Sequence, residues 1–270
     1  MKKMKLFVLL VCVLALVSSC ATVGGGAGSS MDRISKKGEL VVGTAGSMPP
    51  LNMTTKAGEV IGYEMDIARS MARAMGVKLR VETMPFADLM PALEAGKVDM
   101  ILSGMTIIPV RNMKAAFVGP YYESGKAFLT KYDKIASAKD SSEVNNTAIT
   151  LAALRGSTSQ AFVEALIPQA KLTLAANYDE AVQLVIQGKV DALVADYPIC
   201  VVSVLRYPDQ KLIASLTPLT YEPIGIALPP NDPLLVNWVQ NYMNALEGSG
   251  QLKAFGDCWF KDGSWIKDLK

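Results

Sequence analysis

The sequence predicts an α/β protein made of two similar lobes, and three observations carry that expectation. Short apolar runs of strand length alternate with amphipathic helical stretches across residues 40–246. One segment is repeated: Glu94-Ala95-Gly96-Lys97-Val98-Asp99-Met100-Ile101-Leu102 is matched by Ile186-Gln187-Gly188-Lys189-Val190-Asp191-Ala192-Leu193-Val194, 92 residues further on. Each copy reads as a helix end, a glycine stop and a buried strand, and the separation is far beyond the period of a solenoid. Length is compatible, because about 240 residues follow the leader described next, enough for a sizeable core in either one large domain or two lobes.

Lys2, Lys3 and Lys5 precede twelve apolar residues at 6–17. A spanning helix needs about twenty, so residues 1–19 read as a signal peptide. The small residues of Val17-Ser18-Ser19-Cys20 resemble a lipobox, which makes Cys20 the expected lipidation site and membrane anchor. Residues 20–31 then form a Gly/Ser-rich tether of roughly 20 Å root-mean-square span. The 27 basic residues include the three leader lysines, which leaves 24 against 25 acidic ones and a net charge of about −1. No basic field exists to recruit nucleic acid. The absence of histidine excludes histidine acid–base and triad chemistry. With Cys12 and Cys20 set aside, Cys200 and Cys258 make neither a disulfide framework nor a zinc site, and no metal or other cofactor is expected.

Beyond the tether, residues 31–37 have weak helical character. Leu40-Val41-Val42-Gly43 is a strand leading into a loop with Gly46, Pro49 and Pro50, a first ligand wall. Residues 58–63 read as a turn and short strand. Met65, Ile67, Ala68, Met71, Ala72 and Met75 then mark an apolar helix face whose methionines are core packing. Residues 79–83 alternate as a strand, and a helix at 89–95 closes at Gly96. The buried strand 98–102 follows, and Pro109 suits the first turn of the next helix. Ser103, Gly104 and Thr106 therefore lie past the carboxyl end of a strand, where open α/β sheets bind ligands. Arg111 offers a planar fork of donors that matches a carboxylate, and the helix dipole disfavours a cation there, so it needs an anionic partner.

Residues 127–130 and 148–154 read as strands. Arg155-Gly156-Ser157-Thr158-Ser159 opens a helix whose amide and hydroxyl donors favour an anionic group. A strand at 171–174 and a helix at 178–187 lead to the second copy of the repeat, whose strand ends at Asp196. If the lobes face each other, Arg111 with its neighbouring donors and Asp196 opposite them complement a zwitterion. Asp196 also suits the N-cap before Tyr197-Pro198, and one residue can serve both roles. A strand at 212–216, a returning segment at 219–228 and an amphipathic helix at 232–246 follow. Trp259, Phe260 and Trp265 tie down the terminal segment.

In combination these motifs resemble those of the amino-acid-binding solute-binding proteins of ABC importers, family 3. They are Gly43-Thr44 with Pro49-Pro50, Gly62-Tyr63-Glu64-Met65-Asp66, Leu89-Met90-Pro91-Ala92-Leu93 before Gly96-Lys97-Val98-Asp99, and Ser103-Gly104-Met105-Thr106 with Arg111. Pro120-Tyr121-Tyr122-Glu123-Ser124-Gly125, Gly156-Ser157-Thr158, Asp191-Ala192 with Asp196, and Gly225-Ile226-Ala227 complete the set. The resemblance runs over residues 38–265. It implies the two-lobed α/β periplasmic binding protein type II (Venus-flytrap) fold with two hinge strands. Lobe 1 would take residues 32–120 and 225–270, lobe 2 residues 126–219, and the hinges residues 121–125 and 220–224. By the same resemblance Arg111 clasps the α-carboxylate of a free amino acid, helped by Gly104, Thr106 and Thr158, and Asp196 receives the α-ammonium. The closed form, a monomer, would then dock on the transmembrane subunits of an ABC permease at the periplasmic or extracellular face of the envelope.

Departures from the family pattern address selectivity. In family members for basic amino acids or glutamine an acid usually follows the Gly-Thr pair, where this chain has Ala45. An aromatic usually precedes the paired prolines, where it has Met48. With Leu51 and Phe86 these residues imply a largely apolar side-chain pocket and a neutral amino acid of small to medium size. Ile108 stands where a capping residue would normally begin the Arg111 helix. Two rival readings are a dehydratase on the same fold, which needs a general acid in the cleft, and a surface interaction or sensor lipoprotein. No catalytic residue is assigned.

Overall fold

A computed structural model describes residues 29–269. The first helix, α1 (Ser30–Lys37), is capped by the Ser29 hydroxyl, which accepts from the Asp32 N–H, and ends at Gly38 in the left-handed region. Then come β1 (Glu39–Thr44), β2 (Ser47–Met48), β3 (Asn52–Thr54), β4 (Val60–Ile61), α2 (Tyr63–Met75), β5 (Lys78–Thr83), α3 (Phe86–Glu94), β6 (Met100–Ile101), α4 (Pro109–Asn112) and β7 (Ala116–Ser124). The chain continues with β8 (Lys126–Thr130), α5 (Asp133–Ala136), β9 (Thr150–Leu154), α6 (Thr158–Leu166), β10 (Lys171–Ala175), α7 (Tyr178–Ile186), β11 (Ala192–Asp196), α8 (Tyr197–Arg206) and β12 (Ile213–Ala214). It closes with β13 (Glu222–Leu228), α9 (Pro233–Gly248) and α10 (Gln251–Phe260).

Two five-stranded sheets organise these elements, in the orders β5-β1-β6-β13-β7 and β10-β9-β11-β8-β12. Their strand directions match position for position: two parallel pairings, then two antiparallel ones. The sequence repeat occupies equivalent places in them. Gly96 and Gly188 both turn at positive φ (67° and 66°) before β6 and β11. Asp99 then accepts the Val41 N–H at 2.7 Å, and Asp191 accepts the Thr150 N–H at 2.7 Å. Each aspartate thus fastens its strand to the parallel neighbour, β1 or β9, which explains why the repeat retains an acid inside an apolar run.

β7 runs from the first sheet towards the second, which begins at β8 after Gly125, and residues 215–221 bring the chain back to β13. The crossings touch at Gly125, where an added Cβ would lie 2.1 Å from the Thr220 carbonyl oxygen and 2.5 Å from Pro218. Only glycine lets the two backbones approach so closely.

Met65 and Met71 of α2 are wholly buried with Ile67 and Ala68. α10 is tied to α2 by the Trp259 indole N–H, which donates to Asp66 at 2.7 Å. Trp265 packs with Met53, Val202 and Leu269. A continuous apolar cluster runs from Val41, Leu89 and Ile101 of the first sheet's layer to Leu129, Leu154 and Leu193 of the second, so the lobes are closed on each other. Both described cysteines are free, Cys200 buried and Cys258 exposed. Among the described residues no helix is long and apolar enough to cross a membrane.

Candidate functional site

Arg111 sits at the centre of the interlobe contact. Pro109 occupies the first turn of α4, and Ile108 stands at the N-cap with no side-chain capping bond. The Arg111 side chain is buried. Its Nη1 donates to the Thr106 carbonyl at 2.9 Å, and its Nη2 donates to the Gly156 carbonyl of the other lobe at 3.3 Å. The Phe86 ring lies beneath it, 5.6 Å from the guanidinium carbon to the centroid. Burial lowers the arginine's pKa, and the nearby charges of Glu222 and Asp196 oppose that shift. No carboxylate bonds to Arg111 among the described residues.

The opposing carboxylates form a cluster that the sequence reading only half anticipated. Asp196 ends β11 directly opposite Lys126, the first residue of β8, as a cross-strand pair. Lys126 Nζ lies 2.9 Å from Asp196 Oδ1 and 3.5 Å from Glu222 Oε2. Lysine, aspartate and glutamate are only 1%, 4% and 7% exposed. Glu222 Oε2 also accepts from the Thr158 hydroxyl at 3.0 Å, and that hydroxyl lies 3.3 Å from the Thr106 hydroxyl across the cleft. Asp196 does occupy the N-cap position of α8, but its carboxylate makes no capping bond because it faces Lys126 instead.

Arg111, Thr106, Thr158, Phe86 and Asp196 are therefore brought together. Three other residues assigned to the ligand turn their polar groups elsewhere. The Ser103 hydroxyl accepts from the Ala45 N–H at 2.9 Å and faces Met48 Sδ, so it pins the loop after β1. The Gly104 N–H donates to Glu64 at 2.6 Å, and an added Cβ there would lie 2.7 Å from Met48 Cε. Gly104 thus gives room to the methionine, and its N–H is committed to Glu64. Ser157 is the N-cap of α6: its hydroxyl accepts from the Gln160 N–H and donates to the Leu154 carbonyl. Met48, 1% exposed, is packed against Gly104 and the Ser103 hydroxyl. Cys20 lies outside the described residues.

Ala45 and Phe86 line a cavity of about 290 Å³ with Ser47, Thr54, Thr83, Met84 and Asn177. No acidic or basic residue is in its wall, so Arg111 and Asp196 stand outside it. Because Met48 and Leu51 are buried away from it, the expected largely apolar pocket is instead an uncharged one with four polar side chains. A second groove of about 300 Å³ lies between α8 and the terminal segment, walled by Tyr197, Leu205 and Trp259, and it contains none of the charged cluster. Lys126 and Glu222 escaped the sequence reading. The available signal was a lysine opening the apolar run Ala127-Phe128-Leu129, which is out of place in a buried strand.

Known proteins share this architecture. The solved binding component of an ABC transporter from Wolinella succinogenes, complexed with lysine, is 35% identical, with a TM-score of 0.81 over 86% of this chain and 99% of that one. ABC transporter arginine-binding protein 1 of Escherichia coli is 25% identical over 222 residues, 81% of this chain and 89% of its own. The cyclohexadienyl dehydratase of Pseudomonas aeruginosa is 24% identical over 233 residues, 86% and 87% of the two chains. Residues 40–262, which hold both sheets and the whole charged cluster, match the family model described as bacterial extracellular solute-binding proteins, family 3, and the chain belongs to that family.

Proposed function

We propose that this chain captures a neutral amino acid between its lobes and delivers it to an ABC permease, held at the envelope by lipid on Cys20. The crossings at 121–125 and 220–224 serve as the hinge. One observation carries the reading: the cleft's charges are the complement of a zwitterion. Arg111 bonds only to carbonyls and takes the α-carboxylate. Lys126 balances one of the two carboxylates beside it, which leaves one net negative charge for the α-ammonium. The cavity beside Phe86 has no acid to meet a cationic side chain and no base to meet an anionic one, which favours a small to medium neutral one. The Escherichia coli relative named for arginine and the Wolinella succinogenes structure complexed with lysine differ from this chain in that expectation.

A ligand panel by thermal shift tests it. A neutral amino acid at a hundredfold its dissociation constant adds about 2.7 kcal/mol to stability. Strong stabilisation by arginine, lysine or glutamate, with none by neutral amino acids, overturns the selectivity. A second reading, dehydration, draws on one feature, the pair of carboxylates gathered round a buried lysine in a closed cleft. Incubation of the same sample with prephenate or arogenate separates the two, since product formation would establish catalysis. The anchor has its own test: Cys20→Ser is expected to move the protein from the membrane fraction to the soluble one, and retention in the membrane would count against lipidation.

A further inference from the structure

Lys126 is the one member of the cluster whose charge the zwitterion does not need. The residue is 1% exposed and opens a strand whose next three residues, Ala127, Phe128 and Leu129, are fully buried. A lysine in such a place is held only by its partners. Those partners come from separate elements: Asp196 from the end of β11 and Glu222 from the start of β13. Glu222 is fixed in turn by the Thr220 hydroxyl at 3.1 Å and the Thr158 hydroxyl at 3.0 Å. The lysine backbone is equally fixed, since its N–H donates to Thr220 Oγ1 at 2.9 Å and its carbonyl accepts from Leu219. The ammonium is therefore a fixture of the cleft floor, next to the position the ligand's own ammonium would take.

We infer that Lys126 is a built-in substitute for the side-chain cation of a basic ligand, and that it restricts the cleft to molecules of zero net charge. The inference rests on the amino-acid-binding reading above. Two carboxylates, Asp196 and Glu222, lie against the Lys126 ammonium on this floor. Without the lysine, an α-ammonium would offset one of them and leave the other uncompensated, so a second cation, a guanidinium or an alkylammonium elsewhere in the cleft, would be needed to balance its charge. With the lysine in place that second cation is already supplied by the chain. A basic amino acid would bring a surplus positive charge into a cleft whose charges are already balanced, which a buried site disfavours.

The experiment compares wild type, Lys126→Gln and the double variant Lys126→Gln/Glu222→Gln by calorimetric titration with arginine, lysine and the best neutral amino acid of the panel. Under the inference the wild type prefers the neutral ligand, and Lys126→Gln shifts the affinity ratio at least tenfold towards arginine or lysine. The double variant, with one carboxylate removed as well, returns to the neutral preference. A purely structural lysine would weaken all ligands alike and leave the ratio unmoved, which overturns the inference. Should Lys126→Gln be unfolded without ligand, rescue is read instead. A cooperative melt restored by arginine or lysine supports the inference, and equal or better rescue by the neutral amino acid overturns it. A wild type that binds no amino acid at all defeats the functional reading itself. A wild type that binds the neutral ligand, beside a Lys126→Gln that gains nothing for cations, defeats this inference alone.

Discussion

Arg111→Ala is expected to abolish amino-acid capture while leaving the fold intact. Truncating one partner of a buried, hydrogen-bonded charge pair costs about 2–5 kcal/mol of binding, equivalent to an affinity loss of about 30-fold to several thousandfold. The unliganded protein should not suffer comparably. In the structure the guanidinium is a desolvated cation bonded to two carbonyls, and its removal relieves the burial that lowers its pKa. Calorimetric titration and a melting curve on the same sample check both halves: binding lost, unliganded melting temperature within a few degrees of wild type. Arg111→Lys should recover only part of the affinity, because a point charge lacks the planar fork that grips both carboxylate oxygens. Near wild-type affinity in Arg111→Ala would remove the arginine from the site.

The fold is legible in the sequence where local chemistry and long-range structure point the same way. Gly96 and Gly188 ended helices because their positive φ is cheap only for glycine, and Pro109 began one because its missing N–H costs nothing there. The repeat placed two equivalent strands, and the aspartate in each copy has a shared structural cause in the bond to the neighbouring strand's N–H. What stayed hidden was pairing. Lys126 and Asp196 are 70 residues apart and meet only because β8 runs antiparallel to β11, a register that no local pattern encodes. The same limit explains Gly104. Next to a strand end it read as an open donor, whereas its N–H belongs to a carboxylate 40 residues earlier. α10 escapes for a different reason: none of its residues is buried, and its partly buried Trp259 and Phe260 read as anchors of a terminal segment rather than as one face of a helix.

Glu64→Ala should destabilise the protein by at least about 3 kcal/mol and weaken ligand binding from a distance. Glu64 is fully buried. One oxygen accepts from the Gly104 N–H at 2.6 Å and from the Tyr121 hydroxyl, and the other accepts from Asn52 Nδ2 at 2.6 Å. Alanine orphans all three donors, at about 1–3 kcal/mol each. For about 240 folded residues the loss corresponds to a fall of roughly 6–12 °C or more in melting temperature. Glu64→Gln keeps an acceptor for Gly104 and Tyr121 but points an amide donor at Asn52. Asn52 cannot turn to receive it without giving up the Gly46 N–H held by its own oxygen. The glutamine variant should therefore fall between wild type and alanine. It also isolates a pH effect. Burial raises the Glu64 pKa, and the bonds from Tyr121, Gly104 and Asn52 only partly counter it. A carboxyl raised in the folded state contributes its full stabilisation below its unfolded pKa and loses it as pH rises through the folded value. The stability of wild type relative to Glu64→Gln should accordingly grow as pH falls from neutral towards the ordinary glutamate range. Denaturant titrations across that range measure the difference, and one that is flat, or that grows with pH, would contradict the assignment. The consequence for function follows from the chain's path. Gly104 lies between the strand end and the Thr106 carbonyl that positions Arg111, so a loop released from Glu64 loosens the arginine's mounting without touching the ligand.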